Sequence, residues 1–202
     1  MKNTQLEWQT LRGNTAQKII HEVNRGRRTP LFDESSLVET ALPDFYGDTI
    51  LYKLTAFHTV PVISIEYAKA GNRIICLDGT REALAEINAE TDLVLDTDTV
   101  VHYLWFYLGH LRSDDDSFKL AESIEDVEFT DEVSDSLYQK TSDLLHSARV
   151  EEAEAGYLVT ASILYDNYLY DAQVFVDRSG EISFTKEEVV LEDVPTRDIM
   201  LM

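Results

Sequence analysis

The feature that most constrains the fold of this chain is a regular alternation of apolar residues on both sides of Asp166-Asn167. If these two residues form a hairpin turn, every paired position on one face is apolar. The pairs are Tyr165/Tyr168, Ile163/Tyr170, Ala161/Ala172, Val159/Val174 and Tyr157/Val176. A shift by one residue would invert both faces, so the pattern predicts the register as well as the strands.

The next connection extends the same apolar face. Arg178-Ser179-Gly180 suits a three-residue loop with glycine in the left-handed position. Such a loop pairs Val176 with Ile182 and Val174 with Phe184, which predicts a three-stranded antiparallel meander. The alternation slips near Glu187-Glu188, and this indicates a bulge or the end of the third strand.

The remaining chain mixes helical and strand periods. Thr4 and Glu7 have the spacing of a capping box, which predicts an early helix start. The stripe of that helix is Ala16, Ile19, Ile20 and Val23. Residues 31–48 have no firm period, and we predict that they are mostly loop. The further predicted elements are an early hairpin within 49–77, a short helix after Thr80, an apolar helix from Asp98 to Arg112, and a helix from Thr130 that ends near His146 and Arg149.

These elements predict an α+β fold, in which an antiparallel sheet is covered by helices and an N-terminal helix precedes it. The C-terminal meander and the earlier hairpin supply the strands. The length of 202 residues suits one domain with an appended helical piece. We therefore predict an N-terminal basic helical segment over residues 1–30 and a single α+β domain over residues 31–202.

The charge of the chain is unevenly distributed. The net charge is −21, but residues 1–30 carry six basic and two acidic groups, which leaves −25 on the rest. Residues 113–136 contain ten carboxylates and a single lysine, Lys119. An acidic surface repels nucleic-acid phosphate and anionic lipid, so we expect neither as a direct partner. Arg25-Gly26-Arg27-Arg28 has the composition of a small basic arm for nucleic acid. We expect, however, that these arginines are ordinary loop residues.

The helix from Asp98 contains the first candidate site. Asp98 and His102 are four residues apart and can meet on one helical face, while His110 follows eight residues later. A carboxylate beside an imidazole can orient the ring for proton transfer or metal binding. We expect an ordinary interaction between an acid and a half-buried histidine, but a catalytic pocket would lie here, near Tyr103 and Tyr107.

A second candidate is the segment Ile-Ile-Cys-Leu-Asp-Gly-Thr over residues 74–80. It resembles the first motif of the haloacid-dehalogenase-like phosphatases, a hydrophobic strand followed by Asp-x-Asp-Gly-Thr. The resemblance implies a nucleophilic aspartate where this chain has Cys76, and only the second aspartate, Asp78, is present. A strand–turn–helix junction explains the same residues. Cys76 itself we expect to be a buried structural thiol, although His58 on another strand is a conceivable base.

Other motifs predict no metal and no cofactor. The chain has no P-loop, no GxGxxG, no GxSxG and no clustered cysteines and histidines. A calcium loop started at Asp114 fails because Lys119 stands where glycine is required. Four tyrosines, Tyr157, Tyr165, Tyr168 and Tyr170, share one face of the predicted meander. They form either a binding platform or, as we expect, core beneath a helix.

The function we expect first is that of a non-enzymatic binding or interaction module that meets a protein partner with a basic surface. The alternative is a small-molecule enzyme or ligand carrier with a pocket at the helix over 98–112, and a DNA-mimic inhibitor comes third. A homo-oligomer remains open, as does the simpler interpretation of a solvated acidic surface. The start Met-Lys-Asn-Thr-Gln lacks an apolar signal segment, so we expect a cytoplasmic protein, bacterial in style.

Overall fold

The computed structural model describes residues 6–25, 27–113, 116–130 and 133–196. The fold is α+β with antiparallel sheets, as the sequence predicts. The described residues divide into two compact units, the first running to Val94 and the second beginning at Leu95. The predicted division at residue 30 stays a prediction.

The first unit contains a five-stranded antiparallel sheet with the strands in chain order, and two helices. The strands are β1 Gln9–Leu11, β2 Leu37–Ala41, β3 Ile50–Ala56, β4 Ile63–Ala70 and β5 Arg73–Cys76, and the helices are α1 Gly13–Val23 and α2 Arg81–Glu90. Helix α1 packs its predicted stripe of Ala16, Ile19, Ile20 and Val23 into one core with Phe32, Tyr52 and Tyr67. Thr80 caps α2, and its side-chain oxygen accepts a hydrogen bond from the Ala83 amide at 3.2 Å.

One prediction in this unit is wrong, and another is incomplete. Helix α1 begins at Gly13 rather than near Thr4, which lies outside the described residues, because β1 occupies residues 9–11 and pairs with β2. The predicted loop over 31–48 contains β2, whose Val38 is 1% exposed. Both strands are short, and a strand of a few residues gives too little alternation to be recognised as a period.

Tyr67 lies in the core of the first unit and is 3% exposed. No described side chain meets the geometry of a hydrogen bond to its hydroxyl, although the Arg27 guanidinium lies nearby. Burial, and then the neighbouring Cys76, raise the pKa of Tyr67 to about 12 from an ordinary value of 10.0, and Arg27 offsets part of the rise. The folded protein therefore keeps a proton that the unfolded chain releases above pH 10.0.

We expect the free energy of unfolding to fall as the pH rises from the unfolded to the folded pKa of Tyr67. The loss by pH 11 should be roughly 1 kcal/mol, and Tyr67→Phe should remove it. Urea denaturation of both proteins between pH 8 and 11 measures the difference. Tyr138→Phe, at a tyrosine that is 43% exposed, is the control. A Tyr67→Phe variant that loses stability with pH as steeply as the wild type would contradict the assignment.

The second unit is built on the predicted meander. Its strands are β6 Arg112–Ser113, β7 Asp116–Ser117, β8 Lys119–Leu120, β9 Arg149–Ala153, β10 Gly156–Tyr165, β11 Tyr168–Asp177 and β12 Ile182–Leu191. The main sheet has the order β12-β11-β10-β8, with β9 also paired to β10. All five predicted apolar pairs of β10 and β11 are observed. Asp166 and Asn167 form the turn with φ of 46° and 61°, the left-handed region that such a hairpin requires.

The predicted loop between β11 and β12 is also confirmed. Val176 pairs with Ile182 and Val174 with Phe184, and Gly180 has φ of 82°. The irregularity predicted near Glu187-Glu188 is resolved into two places, at Thr185 and Val190, where the register of β12 against β11 shifts by one residue. The strand continues through both shifts to Leu191.

The helices of this unit are α3 Thr99–His110 and α4 Asp135–Leu144, with a 3-10 turn over Ile124–Asp126. The Tyr103 hydroxyl of α3 donates a hydrogen bond to the Gly180 carbonyl at 2.6 Å, which ties the helix to the β11–β12 loop. Helix α4 packs with the 3-10 turn against the other sheet face. Its predicted start at Thr130 is wrong, because Ser134 caps it, and Arg149 belongs to β9 rather than to the helix end.

No helix among the described residues is long and apolar enough to cross a membrane. The cytoplasmic location stays a prediction.

Candidate functional site

The three predicted site residues lie at different places along helix α3: Asp98 directly precedes it, and His102 and His110 lie within it. Asp98 is exposed and makes no capping hydrogen bond through its side chain. The cap is formed by Asp96, whose carboxylate accepts hydrogen bonds from the backbone amides of Asp98 and Thr99, both at 2.8 Å. These hydrogen bonds, and to a smaller extent the charge of His102, hold the pKa of Asp96 below its usual value. Asp96, which sequence reasoning missed, is thus an acid that interacts electrostatically with His102.

His110 lies far along the same helix. Eight residues correspond to about 12 Å of helix axis between His102 and His110. The His110 Nδ1 lies 2.8 Å from the Phe106 carbonyl oxygen, and its ring centroid lies 4.5 Å from the Phe106 ring. The two histidines are therefore too widely spaced along the axis to act on one small substrate atom together. The pocket that they were predicted to line stays a prediction.

The segment around Cys76 is a structural junction. Asp78 accepts hydrogen bonds from the Thr80 amide at 3.1 Å and from the Thr80 hydroxyl at 2.6 Å, directly before α2. Strand β5 pairs antiparallel with β4, whereas the phosphatase motif belongs to a parallel sheet. Burial, and then the charge of Asp78, raise the pKa of the half-buried Cys76 thiol. A raised pKa lowers the fraction of thiolate, which is the opposite of what a cysteine nucleophile needs.

The predicted base for that cysteine is engaged elsewhere. The His58 Nδ1 lies 3.4 Å from the Asp33 carboxylate, in the connection between β3 and β4. Cys76 pairs with Tyr67, four residues beyond the start of β4 at Ile63. The sheet therefore does not bring His58 and Cys76 together.

A serine, a histidine and an aspartate do meet in the second unit. The His146 Nε2 lies 3.2 Å from the Asp171 carboxylate, and its Nδ1 lies 3.1 Å from the Ser147 carbonyl oxygen. The Ser162 hydroxyl accepts a hydrogen bond from the His146 backbone amide at 3.3 Å. In a catalytic triad the imidazole takes the proton of the serine, and here both ring nitrogens face other groups. These contacts instead fix the α4–β9 connection to the sheet. The signal was available, since the predicted register places Ser162 opposite Asp171.

In the described part of the chain, no three His, Cys, Asp or Glu side chains cluster closely enough to hold a metal ion. Of the residues in the rejected calcium loop, Asp114 and Asp115 lie outside the described residues.

The tyrosine-bearing face of the meander is divided between core and surface. Tyr157 is 3% exposed, and its hydroxyl donates a hydrogen bond to the Leu95 carbonyl at 2.7 Å. The other three tyrosines are only half-buried, so the prediction of plain core is wrong for them. Two phenylalanines complete the group that we name the aromatic patch, which consists of Phe118, Tyr165, Tyr168, Tyr170 and Phe184.

The rings of the aromatic patch are in contact. Phe118 stacks on Tyr165 with ring centroids 4.3 Å apart and an interplanar angle of 9°. Phe118 also lies 6.1 Å from the Phe184 ring, and the Tyr168 and Tyr170 rings lie 6.2 Å apart. Tyr165 and Tyr168 pair directly across the hairpin. The half-buried rings thus form two contacting groups, Phe118 with Tyr165 and Phe184, and Tyr168 with Tyr170, which the Tyr165/Tyr168 pair brings next to each other.

The register shift at Thr185 decides the charge beside this patch. Val174 pairs with Phe184, but Gln173, the residue before Val174 in β11, pairs with Lys186. Thr185 is therefore an extra residue in β12. After the shift, Glu187 pairs with Ala172 and therefore lies on the patch face, while Lys186 lies on the opposite face. Without the shift, Lys186 would follow Phe184 on the patch face. The bulge therefore exchanges a positive for a negative charge there.

The charge of Glu187 acts on Tyr170. Burial, and then the Glu187 carboxylate, raise the pKa of Tyr170, with smaller contributions from the neighbouring tyrosines and Asp166. Val189, the cross-strand partner of Tyr170, is 45% exposed. The aromatic patch thus combines accessible rings, an apolar side chain and a negative electrostatic potential. This combination attracts cations, because a ring face and a carboxylate both stabilise positive charge.

Comparison of the chain with protein-family models, with curated proteins and with solved structures gives no match.

Proposed function

We propose that this protein is a non-enzymatic binding module whose aromatic patch takes an arginine-rich segment of a protein partner. The observation that carries the proposal is the position of Glu187 on the sheet face of the half-buried aromatic rings, where its carboxylate acts on Tyr170. Guanidinium groups stack on aromatic planes and form paired hydrogen bonds with carboxylates, so such a surface favours arginine over an ammonium group.

The charge of the whole chain supports the same partner. A net charge of −21 attracts a basic segment over a distance, and the attraction is screened at high salt. We therefore expect fast association that slows as ionic strength rises, with the dissociation rate set by contacts at the patch. The alternative function, an enzyme or carrier with a site on α3, is less favoured because His102 and His110 lie about 12 Å apart along the helix axis.

The test is the affinity of a short fluorescent peptide of alternating glycine and arginine, measured by anisotropy at several salt concentrations. We expect binding that weakens with salt, and binding that is lost when citrulline, a neutral isostere, replaces arginine. Glu187→Lys should weaken binding about tenfold, because it removes an attraction and adds a repulsion worth about 1.4 kcal/mol together.

The matched control is Glu188→Lys. This variant makes the same charge change on the same strand, but Glu188 pairs with Asp171 and lies on the opposite face. We expect it to change the affinity twofold at most, by the lower net charge alone. Equal losses in the two variants would show that the peptide is held by the acidic surface in general, and would refute the patch as the site.

A further inference from the structure

The first unit presents the chemistry that the aromatic patch is proposed to bind. Residues 25–30 connect α1 towards β2 and contain Arg25, Arg27 and Arg28; we name this segment the arginine loop. All of its described residues are exposed. Among the described residues, no carboxylate forms an ion pair with any of these three arginines.

Asn24 joins the two ends of the arginine loop by hydrogen bonds. The Asn24 Oδ1 accepts hydrogen bonds from the Leu31 amide at 2.9 Å and the Phe32 amide at 3.3 Å, and its Nδ2 donates to the Phe32 carbonyl at 2.7 Å. Phe32 is 1% exposed and anchors the far end of the loop in the core. A segment whose two ends are joined in this way loses less conformational entropy when it binds than a free chain would.

We propose that the arginine loop of one copy docks on the aromatic patch of a second copy. This inference rests on the proposed function and names the partner of that site. The loop and the patch belong to parts of the chain with opposite charge. The net charge is +4 over residues 1–30 and −25 over the rest. Arginine is also the residue that a surface of rings and carboxylates holds best.

Such a contact is heterologous, because the two surfaces that meet are different. Each copy then keeps one free loop or one free patch, so copies add head to tail until a ring closes or the ends remain open. The association buries little surface, and we expect it to be weak, reversible, dependent on protein concentration and sensitive to salt.

Two variants separate the surfaces. The loop variant is Arg25→Glu with Arg28→Glu, which leaves Arg27 in place because its guanidinium lies beside Tyr67 and Cys76. The patch variant is Tyr170→Ala with Glu187→Lys. All four positions are exposed or half-buried, and circular dichroism verifies that each variant is folded.

Sedimentation velocity of the full chain at low salt, over a range of protein concentrations, measures the association state. We expect the wild type to self-associate and each variant alone to remain a monomer. An equimolar mixture should form a heterodimer and nothing larger, because one intact loop and one intact patch remain to meet. A self-complementary contact would instead show no recovery in the mixture.

The outcomes distinguish this inference from the proposed function. A wild-type chain that stays monomeric, while the arginine peptide binds it and not Glu187→Lys, overturns self-association and leaves the binding module standing. If the wild type self-associates but the mixture of the two variants forms no heterodimer, the loop of one copy does not dock on the patch of another. Failure of the arginine peptide to bind at the patch refutes the proposed function itself.

Discussion

Gly156→Ala is expected to lower the free energy of unfolding of the second unit by about 3 kcal/mol. A Cβ atom at residue 156 would lie 2.2 Å from the Val176 carbonyl oxygen and 2.8 Å from the Asp177 Cα. These are backbone atoms of β11, the strand on which β10 pairs at Gly156. Relief of the overlap therefore requires that the two central strands of the sheet move apart.

Urea denaturation followed by tryptophan fluorescence measures this loss. The chain has two tryptophans, so a Trp8→Phe background leaves Trp105 of α3 as the reporter of the second unit. Gly109→Ala is the matched control, since its Cβ would have no atom within 4 Å and the residue lies in a helix. We expect a gain of up to about 1 kcal/mol there. Similar stabilities for the two alanine variants would contradict the close approach at Gly156.

Leu169→Ala is expected to cost about 3 kcal/mol in the same assay. Leu169 is fully buried at 0% exposure, and its cross-strand partners are Leu164 and Leu191. These leucines form a core with Val194 and with side chains of α4. Truncation to alanine removes buried methyl groups and leaves a cavity that the paired strands cannot fill.

The control for this change is Val189→Ala on the neighbouring strand. Val189 is 45% exposed, so its truncation should change stability by less than about 0.5 kcal/mol. The same variant should weaken binding of the arginine peptide, because Val189 lies beside Tyr170. A large loss of stability in Val189→Ala, or a small one in Leu169→Ala, would reverse our assignment of the two sheet faces.

The meander was predictable because every paired position on one of its faces is apolar. An apolar pair at every second position allows only one register, and the structure has that register from Tyr157 to Val176. The stripe of α1 was predictable for a similar reason, since four apolar residues at helical spacing leave one buried face. Long periodic segments carry this information within the local sequence. The short strands β1 and β2 do not.

The candidate site was only half predictable. Three of its tyrosines were placed on one face, but their exposure depends on what covers the sheet, and that is decided by distant parts of the chain. Phe118 joins the patch because β8 pairs beside β10, which no local pattern indicates. The charge at the patch depends on a single extra residue, Thr185. The sequence indicated an irregularity in this strand, but its position decides whether Lys186 or Glu187 faces the rings.

The most direct test of the proposed binding site is a titration of ¹⁵N-labelled protein with the glycine-arginine peptide, followed by amide chemical shifts. We expect the shifts to concentrate at Phe118, Tyr165, Tyr168, Tyr170 and Phe184 and at their strand neighbours. The citrulline peptide should produce none of them. Shifts scattered over the acidic surface, or an undisturbed patch at a peptide concentration that saturates binding, would contradict the aromatic patch as the site that binds arginine.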